Sequence, residues 1–357
     1  MKTAIIGLPQ AGKTALFTIL TGVHEAARIG SMAVRVGIAR VPDPRLEAVA
    51  ALYPSAKITH ATVEYLDCPA ISREALRDPA YIGSLRVVDA FAHVLRVFED
   101  DSIPHELGCV APLRDLENME LELILSDLMV VEKRLERLDK DRKKVKNPEL
   151  DREFELLERC RTTLESNAPL RQLELSEEEK KRIRGFQFLS EKPILCVLNL
   201  GEADAPRLHE IEAQYRSGAL AGRTHTAVAA ICGKIEAELA QLSGDEALEF
   251  LAAYSLKESA LERLISATYS VLGLISFFTA SEPEVRAWAL PVHSTALKAA
   301  GTVHTDFEKK FIRAEVINWQ TLVEHGGYAG TREKGLLRLE GKDYMVRDGD
   351  VLLIRHG

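Results

Sequence analysis

Gly7-Leu8-Pro9-Gln10-Ala11-Gly12-Lys13-Thr14 stands between an apolar run at 2–7 and a helix-favouring stretch at 15–20. A strand, then GxxxxGK[ST], then a helix is the order that a phosphate-binding loop requires. Gly7 and Gly12 allow backbone angles that turn successive N–H groups toward a β-phosphate, and the helix N-terminus adds its dipole. Lys13 brings a mobile positive charge to the β- and γ-oxygens, and Thr14 offers a hydroxyl to Mg²⁺. The expected ligand is a purine nucleoside triphosphate with Mg²⁺, held by Pro9, Gln10, Ala11, Gly12, Lys13, Thr14 and Ala15.

Downstream, β-rich runs at 34–41, 61–67 and 90–98 alternate with helical segments as far as residue 113. That alternation indicates an α/β domain with a mostly parallel sheet and crossovers. The texture then changes. Leu121, Ile124, Leu128, Val131, Leu135 and Leu138 step by 3, 4, 3, 4 and 3, a heptad seam among mostly charged neighbours. Asn147-Pro148 interrupts this helix, because proline lacks the amide donor and disfavours the α conformation in its predecessor. A second charged helical stretch at 150–166 completes an antiparallel hairpin.

Apolar strands at 193–199 and 226–231 return the chain to the sheet, and a helical stretch follows to about residue 274. Strand-like runs at 285–290, 311–316 and 351–355 then form a small mixed module. Within it, Asp348-Gly349-Asp350 reads as a hairpin turn between Tyr344-Met345-Val346 and 351–354. The expected division is 1–113 and 190–274 for a nucleotide domain, 114–189 for the inserted hairpin and 275–357 for the module.

With 357 residues and 46% hydrophobic content, the chain can bury a large core. Its formal charge of −8 argues against polyanion binding by bulk electrostatics. Cys68, Cys109, Cys160, Cys196 and Cys232 are scattered singly, which speaks against a zinc site or a disulfide framework and suits a reducing cytoplasm. No stretch reaches the roughly 18 apolar residues of a membrane span. A cytoplasmic protein without membrane contact is expected.

The strand at 193–199 ends in Asn199-Leu200-Gly201-Glu202, and ligands of open α/β sheets sit beyond the carboxyl ends of strands. Asn199 can hydrogen-bond a purine, and Cys232-Gly233-Lys234 after the next strand would supply a base-stacking loop. Glu202 stands where guanine-selective sites carry a shorter carboxylate.

These strings resemble the YchF-type Obg-like ATPases over nearly the whole chain. The matching pieces are the loop at 7–14, Val41-Pro42-Asp43-Pro44-Arg45-Leu46, His93-Val94-Leu95-Arg96-Val97-Phe98-Glu99-Asp100-Asp101 and Asn199-Leu200-Gly201-Glu202. Further matches are Glu284-Val285-Arg286-Ala287-Trp288, the block 301–314, Gly341-Lys342-Asp343-Tyr344 and Asp348-Gly349-Asp350. The resemblance implies a P-loop G domain interrupted by a helical hairpin, then a ubiquitin-like (β-grasp) TGS domain. It also implies a preference for ATP, with GTP as the second candidate, and a partner such as the ribosome or RNA reached through the hairpin and the TGS domain.

Departures from the family are concentrated in the switches. Where members carry Asp-x-Ala-Gly, this chain has Asp67-Cys68-Pro69-Ala70. Proline fixes φ and alanine resists positive φ, so a loop meant to swing an amide onto the γ-phosphate is compromised. Asp67 and Thr14 are the implied metal-side groups, and Ser31 falls at the place of the family's Mg²⁺-binding threonine. Gln10 replaces a loop asparagine that helps hold potassium in relatives, and His105 stands where the family has a mobile histidine able to orient the attacking water. Lys309, Lys310 and Arg313, with Trp319 nearby, are either an RNA contact or a solvated face. Two functions stay open: a slow ATPase switch, or a degenerate module that holds nucleotide without turning it over.

Overall fold

A computed structural model of the chain describes residues 1–23, 34–71, 75, 78–256 and 258–357. In chain order its strands are β1 (Lys2–Ile6), β2 (Arg35–Arg40), β3 (Lys57–Thr59), β4 (Thr62–Asp67), β5 (Ala90–Arg96) and β6 (Ile194–Asn199). They continue as β7 (Thr226–Ile231), β8 (Leu274–Ala280), β9 (Glu284–Pro291), β10 (Phe311–Asn318), β11 (Arg338–Glu340) and β12 (Asp350–His356). The first five α-helices are α1 (Lys13–Thr21), α2 (Pro44–Ala50), α3 (Pro79–Arg86), α4 (Pro112–Lys144) and α5 (Pro148–Glu165).

The first sheet has six strands in the order β2-β4-β1-β5-β6-β7. β1 pairs in parallel with β4 and β5, and β5, β6 and β7 follow in parallel. Their carboxyl ends therefore fall at one side. Ile5 is in register with Asp67, Ile6 with His93, and Asn199 with both Arg96 and Ile231. β5 and β6 are buried along their whole length, as strands covered on both faces must be. This is the α/β class with a mostly parallel sheet that the alternating runs imply.

α4 and α5 form the hairpin. α4 has 33 residues, a rod of about 50 Å at 1.5 Å per residue. Ile124, Val131, Leu135 and Leu138 of its seam bury against Leu156, Leu157, Cys160 and Leu164 of α5. The break between them also starts the second helix: Asn147 accepts the Glu149 N–H at 3.0 Å as an N-cap, and Pro148 fills the first position, where no amide donor is needed. At the root, buried Asp127 accepts the N–H groups of Leu189 (2.9 Å) and Ser190 (2.7 Å), and burial pushes its carboxyl up to about 6.

By compactness the chain divides into Met1–Gly37 with Glu64–Ala267, and Ile38–Val63 with Thr268–Gly357. Ile38–Val63, which the reading above assigns to the nucleotide domain, belongs to the second unit for a physical reason. There β3 pairs in parallel with β9, and the Arg45 guanidinium, held by Asp43, forks onto Asp348 at 2.7 and 3.2 Å. The sheet of this unit runs β11-β10-β12-β8-β9-β3. β8 and β9 form an antiparallel hairpin, and β12 lies parallel beside β8, a β-grasp arrangement closed by the helix Ala296–Val303.

Two readings of this region need correction. The run Leu274–Ala280, to which the reading above gives no strand, is β8, and residues 344–346 are not a hairpin strand. Met345 makes only an isolated bridge with Thr295. Tyr344 and the Arg347 N–H instead donate to Asp350 at 2.8 and 2.9 Å, which folds the segment back on its own turn.

Candidate functional site

The loop after β1 has the conformation its glycines suggest. Gly7 has φ 148 and Gly12 φ 104, and a Cβ on Gly7 would lie 2.6 Å from the Val94 carbonyl oxygen. At Gly12 a Cβ would lie 2.3 Å from Asn199 Nδ2, so both positions exclude a side chain on steric as well as torsional grounds. Pro9 and Ala11 complete the turn, and Gln10 sits at φ 59, a left-handed conformation that a non-glycine residue adopts only at a cost. α1 starts at Lys13 with Thr14 and Ala15 in its first turn, and no side chain caps it among the described residues. Its first amides remain open to an anion.

Lys13 is folded back over this cradle, with Nζ donating to the Leu8 carbonyl at 2.8 Å. Burial lowers its pKa, against the opposing pull of Asp67 and Glu106. The hydroxyl of Thr14 donates to Asp67 Oδ2 at 3.4 Å. A hydroxyl and a carboxylate are hard oxygen donors of the kind Mg²⁺ takes beside phosphate oxygens and water, so the donor set fits that ion. The same Asp67 oxygen also accepts from the Arg35 guanidinium. Ser31 lies outside the described residues.

At the far side of the cradle, buried Asn199 ties two loops together. Its Nδ2 donates to the Ala11 carbonyl at 2.9 Å, and its Oδ1 accepts the Gly233 N–H at 3.0 Å. Beyond these two bonds a carboxamide has one further amide hydrogen and one further lone pair to offer. Leu200 is buried, and Cys232 is the buried residue preceding the helix Gly233–Leu239. Glu202 is half-exposed and engaged: Lys234 Nζ donates to it at 2.6 Å and the Tyr254 hydroxyl at 3.4 Å.

His105 is tucked away from solvent. Its Nδ1 accepts the Leu107 N–H at 3.1 Å, which leaves Nε2 as the donor to Asp115 Oδ2 at 3.0 Å. Asp115 is itself held by Arg114 at 2.8 Å. Both ring nitrogens are thus committed in this conformation.

Three residues escape a reading of the sequence. Arg35 gives no local signal, since its partner lies 32 positions away. Asp115 is hidden in the first turn of a long amphipathic helix. His93 is fully buried on β5 behind Gly7, and neither ring nitrogen has a partner among the described residues. Burial pushes its pKa down to about 3, reinforced by Lys13 and Arg171, so the ring stays neutral under the loop. A histidine inside an otherwise apolar strand is the signal that could have found it. In the second unit Lys309, Lys310 and Arg313 are exposed. Trp319 does not join them: it follows the opposite end of β10 and packs on Gly349, where a Cβ would lie 2.8 Å from its Cδ1.

Residues 274–357 match the family model described as YchF-GTPase_C, protein of unknown function (DUF933). The "Ribosome-binding ATPase YchF" of Bacillus subtilis (strain 168) is 40% identical over 364 residues, covering 99% of this chain and 99% of that protein. Its namesake in Escherichia coli O157:H7 is 38% identical over 363 residues, with 98% of each covered. Among solved structures, the Schizosaccharomyces pombe YchF GTPase is similar at a TM-score of 0.84 and 28% identity, covering 99% of this chain and 97% of the other.

Proposed function

The chain belongs to the YchF family, and we propose that it is an ATP-binding switch with slow intrinsic hydrolysis that acts with the ribosome in the cytoplasm. The observation that carries this reading is the cradle itself, with Gly7 and Gly12 at positive φ, Lys13 over the loop and Thr14 beside Asp67. Pro9 to Ala15 would hold the phosphates, and Thr14 and Asp67 would face Mg²⁺, whose part is to neutralise charge on the β- and γ-oxygens. Asn199, Leu200, Glu202, Cys232, Gly233 and Lys234 would frame the base. The relatives named as ribosome-binding ATPases support the partner. Residues 114–189 and 275–357 are the parts proposed to meet it.

The non-hydrolysing alternative draws support from His105, both of whose nitrogens are engaged. For catalysis this ring must leave Asp115 and reach the water attacking the γ-phosphate. Phosphate release from ATP and Mg²⁺, with and without ribosomes, separates the two readings. A switch shows turnover that ribosomes raise and that His105→Ala lowers by roughly 10²-fold or more. A holding module binds ATP with no release above background in either case.

A further inference from the structure

Asp67 ends β4 with its side chain 8% exposed, and the Arg35 guanidinium pairs with the oxygen that faces the Thr14 hydroxyl. The guanidinium carbon also lies 5.0 Å from the centre of the Phe17 ring, within α1, so an aromatic face holds the group as well. The planar fork of a guanidinium suits a carboxylate. The carboxylate expected to face Mg²⁺ thus carries a permanent cation before any ion arrives. An incoming divalent ion must share Asp67 with that cation or displace it.

We propose that Arg35 is a built-in cation at the metal position, so that this chain binds adenine nucleotides with little help from Mg²⁺. The inference rests on the reading of the loop as a nucleotide site. Coupling between ion and nucleotide is reciprocal, so whatever Arg35 takes from the ion's hold on Asp67 is also taken from the ion's effect on nucleotide affinity. Arg35 acts here as a positioning residue and supplies no proton to the chemistry.

Calorimetric titration of the full chain with ADP and with a non-hydrolysable ATP analogue, in Mg²⁺ and in EDTA, tests this. The expected ratio of the two dissociation constants is within about threefold for the wild type and about tenfold or more for Arg35→Gln. Arg35→Lys, which keeps the charge, should stay near the wild type. A wild-type ratio of about tenfold or more overturns the proposal, and so does an Arg35→Gln ratio equal to the wild-type one. Should Arg35→Gln fail to fold, the wild-type ratio and the lysine variant still decide. Absence of binding in both media defeats the nucleotide reading and this inference with it, whereas tight binding that collapses in EDTA defeats only the role of Arg35.

Discussion

The carboxamide of Asn199 donates to the carbonyl of Ala11 at 2.9 Å, joining two loops that lie 188 residues apart in the chain. The same group accepts the Gly233 N–H at 3.0 Å, so one side chain fixes the phosphate loop against the loop that follows β7. Its first duty is therefore to assemble the site. Asn199→Ala should leave a buried donor and a buried acceptor unmatched, at a cost of about 2 kcal/mol in stability. ATP and GTP should weaken together. Thermal denaturation and titration with both nucleotides check this, and an unchanged melting temperature with a loss confined to one base would refute it.

Lys13 makes a different prediction for the ligand-free fold. Burial holds its pKa below the ordinary 10.5, so the unfolded chain binds this proton more tightly than the folded one. Its charge therefore opposes folding below the lowered folded value, and that penalty fades as pH rises from there toward 10.5. Lys13→Met should melt no lower than the wild type without ligand, to within about 1 kcal/mol. It should lose most of the stabilisation that ATP and Mg²⁺ confer. A variant that keeps the full ATP-induced shift would show that this ammonium does not meet the phosphates.

Base choice should follow from Glu202. A carboxylate already engaged by Lys234 and Tyr254 is poorly disposed to accept from guanine N1 and N2. ATP should bind at least as tightly as GTP in titration calorimetry. A preference for GTP of about tenfold, or 1.4 kcal/mol, would contradict this.

The loop after β4, at Asp67-Cys68-Pro69-Ala70, should respond weakly to the γ-phosphate. Pro69 stiffens its loop, and the buried Tyr81 hydroxyl donates to the Pro69 carbonyl at 2.8 Å, pinning α3 to that loop. A phosphate without differential affinity for two loop states shifts no population. Hydrogen exchange along α3 should differ little between the ADP complex and that with a non-hydrolysable ATP analogue. Pro69→Ala combined with Ala70→Gly should increase the difference. Strong protection of α3 by the ATP analogue in the wild type would show that a working switch has been kept by other means.

What could be read from the sequence was what local pattern determines. The glycine spacing of the loop, the apolar runs of the parallel sheet and the seam from Ile124 to Leu138 each carry their own period, and the structure follows them. Pairings between distant residues have no such period. Arg35 on Asp67, Asp115 on His105 and Lys234 on Glu202 depend on which strand ends and helix turns the fold brings together. β8 is absent from that reading although Gly273, at φ 61, parts it from the helix Ala260–Val271: Leu274-Ile275-Ser276-Phe277-Phe278 lacks the clean alternation of a half-buried strand. Tyr344-Met345-Val346 misled because β-prone residues were read without the buried Asp350, whose hydrogen bonds decide their course.

β3 gives the C-terminal module a dependence that its sequence boundaries conceal. Lys57, Ile58 and Thr59 lie in register with Glu284, Val285 and Arg286, and the Thr59 hydroxyl donates to Glu284 at 2.6 Å. A fragment cut at residue 274 would lose this strand together with the Arg45 fork on Asp348. The bared flank of β9 would then present unpaired amides and carbonyls to any other strand in solution. Excised in that way, the module becomes a template for self-association, and the cover on its β9 edge comes from a stretch of chain more than two hundred residues upstream.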